Sequence, residues 1–127
     1  MKRRDVVLIV EDEPVIRRLL RLTLERADYT VLEAADGIEA VELLDTGQHR
    51  VSAIVSDITM PRMDGLALVD RLQATHPALP IVLASGCHRL ETIPPFIAAR
   101  VAGFLDKPYS RATLLTTVAR AVDGVAA

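Results

Sequence analysis

Four short apolar runs in this chain each lead into a residue able to handle a charged oxygen, and that repetition limits the possible folds more than any other feature. Val6 to Val10 is followed by Glu11 and Asp12, Val51 to Val55 runs toward Asp57, Ile81 to Ala84 meets Ser85, and Gly103 to Leu105 leads to Lys107. Runs of this length read as buried strands, and in a parallel α/β sheet the C-terminal strand ends share one edge. Three carboxylates, a hydroxyl and an ammonium would then converge. That is the inventory for holding a divalent cation and moving a phosphoryl group.

Between the strand-like runs lie segments of helical periodicity, the alternation of a doubly wound sheet. The first helix opens at Pro14, a residue favoured at the first helical position, and ends near Asp28. Its expected inward residues are Val15, Ile16, Leu19, Leu20 and Leu24, with Arg17, Arg18, Arg21 and Glu25 toward water. A second strand, Thr30 to Ala34, precedes an Asp36-Gly37 turn and a helix carrying Ile38, Val41 and Leu44, closed by Thr46-Gly47. Turn formers fill Met60 to Gly65, and a third helix presents Leu66, Leu68, Val69 and Leu72 up to about Thr75. Pro94 and Pro95 bar a regular helix before them, so a loop from Cys87 to Ile93 is expected, then a short helix burying Phe96, Ile97 and Val101. Ser110 caps a last helix from Arg111 to about Val122, with Leu114, Leu115, Val118 and Val122 against the sheet.

Charge alone narrows the chemistry. Glu11, Asp12 and Asp57 against Lys107 leave about −2 in a pocket where unit charges 4 Å apart interact by about 4 kcal/mol. That excess attracts a cation. Oxygen donors without histidine or cysteine at the strand ends favour a hard ion, and few carboxylates at a shallow site suit Mg²⁺ over Zn²⁺. With the cation bound, a carboxylate can act as nucleophile toward a phosphoryl group. Asp57 is the candidate, because it stands alone at its strand end while Glu11 and Asp12 share theirs. Lys107 and Ser85 would hold phosphoryl oxygens as charge spreads over them.

The rest of the composition excludes other classes. At 127 residues and 50% apolar content the chain fits one domain with a real core, spanning 1–127. Its formal charge of −2, with the basic residues scattered, offers no footprint for nucleic acid. Met1-Lys2-Arg3-Arg4 resembles the start of an export signal, but Asp5 and only five apolar residues follow, too few for export or for a membrane span. A single cysteine, Cys87, rules out an internal disulfide and fits a cytoplasmic location. His49, His76 and His88 show no ligand spacing and read as surface residues.

Taken in order, Val6-Val7-Leu8-Ile9-Val10-Glu11-Asp12-Glu13-Pro14, Asp57-Ile58-Thr59-Met60-Pro61-Arg62-Met63-Asp64-Gly65, Leu83-Ala84-Ser85-Gly86 and Phe104-Leu105-Asp106-Lys107-Pro108 resemble the receiver domain of response regulators, the phospho-accepting half of two-component signalling. The resemblance implies a flavodoxin-like receiver fold, a five-stranded parallel sheet of order 2-1-3-4-5 flanked by helices. It implies that Asp57 takes a phosphoryl group from a phosphohistidine on a sensor histidine kinase or histidine phosphotransfer protein. Mg²⁺ would be bound by Asp12, Asp57 and the main-chain carbonyl of Thr59, with Glu11 acting mostly through a metal-bound water. It further implies a switch in which the Ser85 hydroxyl moves toward the phosphoryl group and Phe104 turns into the vacated space, altering the face of the fourth helix, fifth strand and fifth helix. Phe104 stands where many relatives carry tyrosine. Lys107-Pro108 resembles a peptide bond that is typically cis.

On this resemblance the chain is a signalling module that catalyses its own phosphotransfer and dephosphorylation, not an enzyme acting on other substrates. An aspartyl phosphatase would resemble it but places a second acid two residues after the first, where this chain has Thr59. A degenerate receiver that binds partners unphosphorylated would have lost one of the acids or the lysine, and all are present. With the sequence ending at Ala127, soon after the last helix, output is expected to pass through protein contacts, without direct nucleic-acid or membrane binding. The Pro94-Pro95 pair falls where relatives continue a longer fourth helix, which implies a remodelled output surface.

Overall fold

The computed structural model describes residues 5–124, so Met1 to Arg4, read above against an export signal, lie outside the described residues. The chain alternates β1 (Val6–Val10), α1 (Pro14–Arg26), β2 (Thr30–Ala34), α2 (Gly37–Asp45), β3 (Ala53–Asp57), α3 (Gly65–Thr75), β4 (Ile81–Ser85), a 3₁₀ turn (Leu90–Thr92), α4 (Pro95–Arg100), β5 (Gly103–Asp106) and α5 (Arg111–Asp123). All strand pairs are parallel and the order is β2-β1-β3-β4-β5, the expected doubly wound sheet. Side chains alternate across the strands, so two cores form. Leu8, Val10, Ile54, Ile81 and Leu83 pack with α2, α3 and α4, while Val7, Ile9, Val55, Val82 and Leu105 pack with α1 and α5. Among the described residues, no helix is long and apolar enough to cross a membrane.

The third strand starts two residues later than its apolar run. Ser52 is spent on entry, its N–H donating to the Val6 carbonyl (2.7 Å) and its Oγ accepting from the Val6 N–H (3.2 Å). The ladder therefore continues to Asp57, which is part of the strand and paired with Ala84. The fourth and fifth strands likewise run one residue beyond their apolar runs, taking in Ser85 and Asp106.

Two helices correct the expected burial. In α1 only Leu20 and Leu24 go under, whereas Val15 is 79% exposed, Leu19 64% and Ile16 40%. Arg17, expected in water, turns toward the sheet instead, because β2 and the β1–α1 loop offer it acceptors. Its Nε pairs with Glu33 at 3.0 Å and its Nη1 donates to the Glu11 carbonyl at 2.8 Å. The helix stops at Arg26, and Asp28 takes a left-handed φ of 70° in the turn that follows. In α4, Ile97 alone is buried, while Phe96 is 54% exposed and Val101 is the half-buried C-cap. Six residues give less than two turns and one inward position. Arg100 ties the short helix down by donating to the carbonyls of His76 (2.9 Å) and Leu79 (2.8 Å).

Caps hold the remaining helices at the expected positions. Asp36 accepts from the Glu39 N–H, Asp64 from Ala67, and Ser110 from Thr113, each satisfying an amide of a first turn. Within α5 the buried residues are Leu114, Val118 and Ala121, with Leu115 and Val122 half-buried.

Candidate functional site

The C-terminal sheet edge gathers the carboxylates as the spacing required. One carboxylate oxygen from each of Glu11, Asp12 and Asp57 lies within 4.8 Å of the other two. Lys107, on the loop after β5, places its Nζ 2.5 Å from Asp57 Oδ1 and 3.9 Å from Glu11 Oε1. Thr59, exposed, follows Asp57 by two residues. Backbone bonds fix this edge: Glu11 N–H donates to the Ala34 carbonyl (3.0 Å), Ile58 N–H to Ala84 (3.0 Å) and Lys107 N–H to Ser85 (2.9 Å). Gly65 is needed for a close approach, since a Cβ there would sit 2.3 Å from the Asp57 carbonyl oxygen. Its N–H donates to the Ile58 carbonyl at 2.7 Å and seats the start of α3 against the Asp57 strand end. The Lys107–Pro108 bond is cis.

Electrostatics follow from this crowding. Glu11 is almost fully buried, and its carboxyl is pushed up to about 8, first by desolvation and then by the Asp57 carboxyl beside it. The Glu13 N–H, which donates to Glu11 Oε2 at 3.0 Å, and the Lys107 ammonium act in the opposite direction. Without a cation, burial and the neighbouring Asp57 carboxyl thus both favour the neutral form of Glu11. A hard cation fits this donor set: three oxygen ligands are gathered, and a cation favours the ionised Glu11 that burial disfavours. Tyr109 escaped the sequence reading. Burial, then the charges of Asp57 and Glu11, push its phenol up to about 12, which places it within the field of the acids. The signal available was its position two residues after Lys107.

Ser85 ends β4, between the Asp57 strand and β5, and Phe104 lies on β5. Ser85 is 6% exposed, and its Oγ accepts the N–H groups of Cys87 (3.1 Å) and His88 (2.9 Å) and touches His88 Nδ1 at 3.1 Å. Phe104 is half-buried against the α2–α3–α4 core and lines, with Ser85, His88, Asp106 and Lys107, a recess of about 530 Å³. His88, read as a surface residue, is half-buried in contact with the hydroxyl, and Cys87 is exposed.

The sequence and the fold both match known proteins. The response regulator receiver domain family matches residues 7–119. The sensor kinase CckA of Brucella abortus is 40% identical over 88% of this chain and 12% of its own length. The response regulator MprA of Mycobacterium ulcerans is 34% identical over 86% of this chain and 46% of its own. The chain thus spans less than half the length of these curated relatives. Among solved structures, the chemotaxis response regulator CheY4 of Vibrio cholerae superposes with a TM-score of 0.81, at 33% identity, covering 94% of this chain and 99% of that one. The fold, the strand order and the match over nearly the whole described chain make this protein a member of the response regulator receiver domain family.

Proposed function

We propose that this chain is a cytoplasmic phosphorylation switch that accepts a phosphoryl group on Asp57 from the phosphohistidine of a sensor kinase or phosphotransfer protein and signals through protein contacts. The observation that carries this reading is the convergence of Glu11, Asp12 and Asp57 with Lys107 Nζ at 2.5 Å from Asp57. Asp57 Oδ forms the new O–P bond as the P–N bond to the donor imidazole breaks. Lys107 orients the Asp57 carboxylate and then faces phosphoryl oxygens, whose charge grows in transfer. Asp12, Asp57 and the Thr59 carbonyl would hold Mg²⁺, with Glu11 behind a bound water. When present, the ion supplies neutralisation of the charge on carboxylates and phosphoryl oxygens. The same groups would run dephosphorylation, so the chain would catalyse its own phosphotransfer and phosphoryl loss without acting on another substrate. Signal would leave as the Ser85 hydroxyl engages the phosphoryl group and Phe104 follows, changing the α4–β5–α5 face.

The exposed stripe on α1 supports a protein donor. Ile16, Leu19 and Leu22 form, with Pro108 and Tyr109, a mainly apolar recess of about 720 Å³ that begins at Lys107, beside the phosphoacceptor. A macromolecule delivering phosphohistidine to Asp57 must seat against that rim, and exposed apolar residues there are a surface for it. Leu19→Lys should lower transfer from a kinase that phosphorylates the wild type by roughly tenfold or more while sparing labelling by acetyl phosphate. Equal loss with both donors would remove α1 from docking.

Incubation with Mg²⁺ and acetyl phosphate, followed by intact mass measurement, tests the central assignment. Wild type should gain one alkali-labile phosphate and Asp57→Asn none. Equal labelling of the variant would refute Asp57 as acceptor.

A further inference from the structure

The Ser85 hydroxyl is fully committed before any phosphoryl group arrives. A hydroxyl oxygen has two lone pairs and one proton. Both lone pairs are taken by backbone donors, the N–H groups of Cys87 and His88. The remaining contact, 3.1 Å to His88 Nδ1, is therefore made by the Ser85 O–H donating to the ring, whose own proton sits on Nε2. Donation to a phosphoryl oxygen needs that same proton. The two acceptors compete for it.

We propose that His88 is a positioning residue for Ser85, holding the hydroxyl proton in the resting state and giving it up when Asp57 is phosphorylated. The inference rests on the reading of Asp57 as phosphoacceptor and adds the group that opposes it. Ser85 cannot escape the competition by moving its backbone, because its carbonyl accepts the Lys107 N–H at 2.9 Å across the β4–β5 pair. The Ser85 side chain and the loop beyond are free to respond. That loop carries exposed Gly86 and Cys87, and the imidazole borders the recess that Phe104 also lines, so a released ring has room to turn. His88 thereby couples the hydroxyl to the segment leading into α4. The turn itself does not depend on the ring, since Ser85 Oγ alone binds both backbone amides.

The test is the affinity for beryllofluoride in the presence of Mg²⁺, measured by isothermal titration calorimetry or amide shifts on the whole chain. Losing the competing acceptor in His88→Ala should tighten binding by roughly two- to tenfold, the worth of one neutral hydrogen bond. His88→Asn, which returns an acceptor near the Nδ1 position, should restore wild-type affinity. In a Ser85→Ala background the His88→Ala change should have no effect, as two residues acting through one bond require. Long-range ¹⁵N–¹H correlation should show the Nε2–H tautomer at rest and loss of the Nδ1 hydrogen bond on saturation. Unchanged or weaker binding by His88→Ala, or tightening that persists without the Ser85 hydroxyl, would overturn the proposal alone. Failure of wild type to bind beryllofluoride with Mg²⁺ would overturn the phosphoacceptor reading and this inference with it.

Discussion

Asp57 ends a strand hydrogen-bonded on both sides, with α3 packed against its carbonyl, whereas Ser85 ends a strand and gives its hydroxyl to a loop of mostly exposed residues. The two halves of the site differ in what fixes them. The acids hang from β1 and β3, whose neighbours are buried almost completely, so their separation is set by the sheet. The hydroxyl is set by three contacts within four residues, a local arrangement that can change without disturbing the core. Chemistry that needs fixed distances sits on the first half, and a response to that chemistry can be written on the second.

Glycine substitutions give the largest contrast between the halves. At Gly65 a Cβ would fall 2.3 Å from the Asp57 carbonyl oxygen and 2.9 Å from Ile58 Cα, both backbone atoms that cannot swing aside. Gly65→Ala should cost about 3 kcal/mol in urea unfolding, the upper range for overpacking, and should slow labelling by acetyl phosphate. At Gly86 the nearest atom is Lys107 Cβ at 3.6 Å, so Gly86→Ala should stay within about 0.5 kcal/mol of wild type. Similar losses for both would mean that the loop is as constrained as the strand end.

Lys107 joins the halves, its Nζ on Asp57 and its N–H on the Ser85 carbonyl, and its side chain can be removed without touching the second bond. Lys107→Ala should still accept phosphate from acetyl phosphate, because a bound cation retains much of the charge neutralisation. It should transmit the event poorly. The expected readout is a phosphate-sized mass gain with little change in the Cys87 and His88 amide resonances. A full wild-type response of those resonances would assign transmission to the loop alone.

The same contrast explains what could be read from the residues. Strands appear as runs of β-branched residues, and an acid, hydroxyl or lysine at each C-terminal end needs only the parallel rule to be placed on one edge. The pairing of Asp57 with Ala84 and the burial of Glu11 are consequences of that rule. Helix faces are less legible. In α1 the apolar residues Val15, Ile16, Leu19, Leu20, Leu22 and Leu24 cover more than one side, and periodicity does not choose among them. The choice was made by Glu33 on β2 and the Glu11 carbonyl, which draw Arg17 inward and turn Val15 and Leu19 out. His88 left little signature because its contact arises within a turn of four residues. The spacing Ser85-Gly86-Cys87-His88, a hydroxyl followed by glycine, was the available hint.

Acid titration should produce the smallest effect and confine it to the strand-bound half. Glu33 on β2 is held below the ordinary carboxylate range by Arg21, its stronger partner, and by Arg17, with desolvation opposing them. A carboxyl depressed in the folded state stabilises above its unfolded value and loses that contribution as the pH falls through the folded one. The window therefore opens at 4.5, the ordinary value for this group, and extends downward. Because the pair is partly exposed, its worth is about 0.5 kcal/mol after screening. Urea midpoints for wild type and Glu33→Gln should differ at pH 7 and converge as the pH drops below that window. Arg17 also holds the Glu11 carbonyl, so protonating Glu33 frees one arm of the residue that steadies the acid loop, while no bond of Ser85 passes through it. Amide shifts near Glu11 should therefore follow the Glu33 titration and those of Cys87 and His88 should not. Parallel movement of both sets would show that the two halves are mechanically one.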